Sequence, residues 1–129
     1  MHDKNLFDYS VIRVVPRVER EEFINVGVIL FCKAEKFLQA KYQIKHERLL
    51  AFSPDLDLEC VNENLKAMGH ICYGNKEGGA IAELDLASRF RWLTSTRSTI
   101  LQMSKVHPGY TANAAETLEK LYAELVLQP

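Results

Sequence analysis

No stretch of this chain approaches the roughly 20 consecutive apolar residues that cross a bilayer, and its opening, MHDKNLFDYS, lacks the apolar core of a signal peptide. A cytoplasmic protein without membrane association is expected. Cysteine is scarce: Cys32, Cys60 and Cys72 include no C-x-x-C pair, so neither a disulfide framework nor a zinc site is signalled. His70 and Cys72 with Cys60 lack the spacing of a closed zinc site, and His2 and His46 have no clustered partners. No metal is expected. A Walker loop and a dinucleotide fingerprint are missing too, which leaves no expected cofactor. Ser98 and Ser104 stand in no G-x-S-x-G elbow. A net charge of −1 excludes a protein that coats DNA indiscriminately, because such binding depends on many phosphate neutralisations.

A more local absence is informative. Residues 86–115 contain four bases and no acid, while residues 55–63 contain four acids and no base. A polar surface normally mixes both signs, so the acid-free stretch asks whether its arginines converge on an anion. The acidic run has a simpler reading as a solvated helix start matched to the helix dipole.

The chain of 129 residues, 47% apolar and 26% charged, has ordinary globular composition, and one domain over residues 1–129 is expected. FDYSVIRVV (residues 7–15) is rich in β-branched and aromatic side chains, and Pro16 ends it as a first strand. FINVGVILFC (residues 23–32) is apolar on both alternating faces, which suits a central strand covered on each side. Asn25 and Gly27 are its exceptions: Asn25 reads as a hydrogen-bonded structural residue, and Gly27 lets something approach closely. KAEK turns the chain into FLQAKYQI, a strand with one wet face.

Ser53, Pro54, Asp55 and Asp57 together predict a helix start, with Leu58, Val61, Leu65 and Met68 on one face. Leu86, Phe90 and Leu93 predict a short amphipathic helix, and STILQM (residues 98–103) predicts a strand that HPG breaks. Asn113 three residues before Glu116 predicts the cap of a last helix carrying Ala114, Leu118, Leu121 and Leu125. The order β-β-β-α-α-β-α gives an α+β fold, an antiparallel sheet of about four strands with helices packed on it.

Three segments, YSVIRVVPRVEREEFINVGVILF (residues 9–31), FSPDLDLE (residues 52–59) and RFRWLTSTRSTILQMSKVHPG (residues 89–109), together resemble the bacterial DUF3037 family, a domain of unknown function. The resemblance spans nearly the whole chain. It implies a small protein often encoded beside a HipA-like kinase, and hence a partner or accessory role.

The individual residues support a site of their own. Arg97 and Ser98 fall where a helix hands over to a strand, a place where side chains and free amides hold phosphate or carboxylate. The competing reading pairs Arg97 with an acid of the loop that carries Glu19 and Glu22, and the same acids are natural partners for Arg13 on its strand face. Gln102 shares a strand face with Ser98, and a turn at Pro108 and Gly109 is expected to bring His107 back toward them. The expected ligand-binding set is thus Arg13, Arg89, Arg97, Ser98, Gln102 and His107. Trp92 beside Arg89 is either a stacking platform for a base or core.

Two functions follow. The favoured one is a non-enzymatic binding or accessory module whose arginine-rich face docks a small anion, a nucleotide or a kinase-like partner protein. The alternative is a small enzyme acting on a phosphate-bearing or nucleotide substrate, with His107 as general base and Glu19 or Glu22 orienting a water.

Overall fold

The computed structural model describes residues 4–95 and 100–127. Its centre is β1 (Asn5–Val14), which pairs antiparallel with β2 (Ile24–Cys32). β3 (Phe37–Tyr42) extends the sheet beyond β2. The opposite edge of β1 is shared by two short strands: β4 (Leu101–Met103) lies against residues 12–14 and β5 (His107–Thr111) against residues 5–9. The sheet is therefore antiparallel with five strands and helices packed on it, an α+β fold.

Both faces are covered, as the unbroken apolar run of β2 predicts. On one face Ile12, Val14, Val26 and Ile29 meet α1 (His46–Phe52), α2 (Leu58–Tyr73) and α3 (Leu86–Leu93). Val61, Leu65, Met68 and Ile71 form the buried stripe of α2, each contributing roughly 1.5–3 kcal/mol. On the other face Phe7, Val28 and Leu30 meet Ala114, Leu118 and Tyr122 of α4 (Ala114–Tyr122).

A bulge interrupts the central pairing. Ile12 faces Gly27 but Arg13 faces Asn25, so one extra residue of β2 is accommodated between them. Gly27 fits there because Tyr42 and the Lys41 carbonyl of β3 come so close that a Cβ would lie 2.6 Å from each. The close approach expected at Gly27 is thus the neighbouring strand.

The expected sequence elements are corrected in three places. The segment 107–111 is a strand, not a turn: Pro108 is tolerated because β5 is an edge, and Gly109 leaves room for the Phe7 ring. Ser53 closes α1 instead of opening α2, whose cap is Asp57 with Cys60 N donating to its side chain at 3.1 Å. The residues between them form a turn that turns Leu56 into the core. Helix α1 has only Leu49 buried, too little periodicity to be read from sequence.

Two long-range polar contacts fasten the edges. Between β4 and β5 the ladder breaks at Ser104, whose hydroxyl accepts from Val11 N at 2.8 Å and whose carbonyl accepts from the Ser10 hydroxyl at 2.7 Å. The buried Ser10–Ser104 pair replaces the missing strand pairing. At the other edge, the Glu35 carboxylate in the β2–β3 turn accepts from Ala114 N at 3.0 Å, placing an anion at the positive end of α4. Asn113 caps the same helix as expected, accepting from Glu116 N.

Candidate functional site

Arg13 and Gln102 are brought together, because they are direct partners across β1 and β4. On the other side of Arg13 lies Asn25 of β2. A long basic side chain on a half-buried strand face needs somewhere to put its charge. Neither Glu19 nor Glu22 supplies it. Glu22 pairs instead with Arg20 at 2.6 Å, and the hydrogen bond and charge of Arg20 hold its carboxyl below the usual carboxylate range. Glu19 is exposed in the 3₁₀ turn Val18–Arg20. The Arg13 guanidinium lies 4.0 Å over the ring of Phe23, a cation–π contact. Its Nε is buried and finds no hydrogen-bond partner among the described residues.

Arg13, Val15, Val18, Glu21, Phe23, Gln102 and Met103 line an open hollow of about 290 Å³. Of the lining residues only Arg13 and Gln102 were expected from sequence; of those missed, Phe23 and Glu21 matter most to the chemistry. Phe23 reads as the first residue of a strand, but β2 begins one residue later and leaves its ring free to cover Arg13. Glu21 has a left-handed backbone, φ 55°, which reverses the loop after the 3₁₀ turn, and no sequence signal marks it.

The other expected site residues lie elsewhere. Arg97 and Ser98 lie outside the described residues. His107 faces Tyr9, with ring centroids 5.2 Å apart, four residues along β1 from Arg13, which is about 13 Å. It shares the face of the sheet but not the hollow. Arg89 is on the opposite face, where it donates through Nη1 to the carbonyls of Ile71 and Cys72 at 3.0 and 3.1 Å, closing the C-terminus of α2. Trp92, one turn on, lines a separate cleft of about 150 Å³ between α2, α3 and β4 with Met68, Leu93 and Met103. Asn25 donates to the Leu125 carbonyl at 3.1 Å, tying the π-turn Ala123–Leu127 to β2, the structural role its sequence context suggests.

The cysteines divide by environment. Cys32 and Cys72 are buried and Cys60 is half-buried on α2. Burial pushes the Cys72 thiol up to about 12, more than the nearby Arg89 charge draws it down. A neutral-pH thiol reagent is therefore expected to label Cys60 in the native protein and to leave Cys32 and Cys72 until unfolding; rapid native labelling of Cys72→Ser and of wild type at equal stoichiometry, with Cys60→Ser unlabelled, checks this. The sign with pH is set by the same shift. Between the ordinary thiol value of 9.0 and about 12 the unfolded chain has lost a proton that the folded chain keeps, so this stability is lost as pH rises through that window.

No described helix is long and apolar enough to cross a membrane. Neither curated proteins nor solved structures match the chain. A family model described as a protein of unknown function, DUF3037, matches residues 9–126, nearly the whole sequence, and the chain belongs to that family.

Proposed function

We propose that this protein is a non-enzymatic binding module whose hollow at Arg13 and Gln102 receives an anionic group. The observation that carries the reading is Arg13 itself: a guanidinium stacked on Phe23 that lines an open hollow, with Nε buried and without a hydrogen-bond partner among the described residues. Stacking fixes the plane of the fork and leaves its edge for a carboxylate or phosphate. Among the described residues, the lining holds one guanidinium, one carboxylate and one amide that already makes a contact of its own, with no hydroxyl, thiol or imidazole. That inventory binds charge and supplies no nucleophile. The HipA-like kinase implied by the family resemblance is the partner we attach to this module, and co-expression followed by size exclusion tests the attachment.

A thermal-shift and calorimetric screen with phosphate, sulfate, acetate and nucleotides tests the anion reading. A charge-assisted contact is worth about 1.5–3 kcal/mol, so Arg13→Gln is expected to weaken binding by roughly one to two orders of magnitude. Arg97→Ala belongs in the same screen, since Arg97 stands in the acid-free stretch that also holds Gln102. Wild-type protein that no anion stabilises, or an Arg13→Gln variant that responds like wild type, overturns the reading.

A further inference from the structure

The hollow at Arg13 is not simply basic. Glu21 lines it too, so an anion that enters to meet the guanidinium also meets a carboxylate. The described ion pairs are Arg20 with Glu22 and Lys41 with Glu119. Arg13 and Glu21 make none among the described residues, although they have opposite charges and border the same space. Two opposite charges held apart across a hollow are matched by a ligand that carries both signs. A phosphate or sulfate would be attracted to one wall and repelled by the other, whereas a zwitterion turns the second contact into an attraction.

Three further features narrow the ligand. The remaining walls are apolar: Val15, Val18, Phe23 and Met103, of which Val18 and Phe23 are 45% and 43% exposed. An apolar side chain on the ligand would cover them. The volume of about 290 Å³ sits at the bottom of the range for small-molecule sites, which favours a ligand smaller than a nucleotide. Finally, Glu21 is held in the left-handed region that non-glycine residues seldom adopt, and this conformation sets where its side chain leaves the loop.

We infer that the hollow binds a free α-amino acid with an apolar side chain, its carboxylate on Arg13, its ammonium on Glu21 and its side chain against Phe23 and Val18. The inference rests on the anion-binding reading of the same hollow and deepens it by naming the ligand class.

The test is calorimetry on the full chain with leucine and methionine, each beside the carboxylic acid that lacks the amino group and the amine that lacks the carboxylate; for leucine these are 4-methylpentanoate and 3-methylbutylamine. Inorganic phosphate is the fourth kind of probe, beside amino acid, acid and amine. Leucine or methionine is expected to bind at least tenfold tighter than its acid and its amine, and Glu21→Gln to reduce the preference over the acid to near unity. Arg13→Gln is expected to abolish binding of both. If 4-methylpentanoate or phosphate binds wild type as tightly as the amino acids, the ligand class is wrong while the anion reading stands. A preference that survives Glu21→Gln overturns the assignment of Glu21. An amine that binds as well as leucine, or no binding by any probe, overturns the anion reading together with the inference. The wild-type comparison of ligands needs no variant, so a variant that fails to fold does not protect the inference.

Discussion

Replacing Arg89 by methionine is expected to lower stability by about 2–4 kcal/mol. The last turn of α2 has carbonyls that no residue within the helix can satisfy. Arg89 meets two of them, Ile71 at 3.0 Å and Cys72 at 3.1 Å, with a single terminal nitrogen from α3. Its positive charge also sits at the negative end of a 16-residue helix dipole. A hydrogen bond from a charged donor contributes about 1.5–3 kcal/mol, and two sharing one nitrogen are not additive, which sets the range. Methionine keeps much of the length and apolar stem, so the loss reports donors and charge more than packing. The measurement is thermal or urea unfolding: a drop of about 10 °C in Tm is expected for a chain of this size, with Arg89→Lys intermediate. A methionine variant that melts within about 2 °C of wild type would show that the contacts contribute little. The same geometry makes Arg89 a fixture of the fold, not a free cation facing a ligand.

The contrast between Arg89 and Arg13 shows where sequence becomes silent. Strand and helix types were legible because burial imposes a period on the side chains: two for residues 7–15, both faces apolar for residues 23–32, and 3.6 for α2, α3 and α4. Which arginine ends up beside which partner is a matter of register and loop path, and neither has a period. Arg13 meets Phe23 because the bulge opposite Ile12 and Arg13 resets β2 by one residue and the loop reverses at Glu21. Arg20 takes Glu22 only two residues away, so one of the two acids expected to serve Arg13 is already engaged. His107 is kept from the hollow by an edge strand in which a proline and a glycine continue the sheet. The one pairing in the candidate site that alternation could have suggested is Arg13 with Gln102, since each is a polar, half-buried residue within an apolar strand.

The same kind of local silence separates two glycines, and substituting each by alanine is expected to move stability in opposite directions. At Gly27 the added methyl would lie 2.6 Å from the Lys41 carbonyl and 2.6 Å from Tyr42 Cβ, and 3.1 Å from Ile12 Cδ1. Two of these neighbours belong to the paired strand β3 and cannot swing away like the end of a flexible side chain. Relief requires β3 to move off β2, lengthening the ladder around Gly27 and Tyr42. Overpacking of this kind costs about 1–3 kcal/mol, and a weakened ladder bond adds about 1 kcal/mol, so a loss of about 2–4 kcal/mol is expected. At Gly69, inside α2, nothing lies within 4 Å of the added methyl. There alanine reduces the backbone freedom of the unfolded chain and is expected to stabilise by about 0.5–1 kcal/mol. Paired thermal melts read the two signs, and native-state hydrogen exchange locates the first: Gly27→Ala should speed exchange of the β3 amides that bond to β2 before it affects α2. A Gly27→Ala protein that melts with wild type and keeps its β3 protection would mean that β3 yields at no cost, and that the close approach at the bulge does not hold the centre of the sheet.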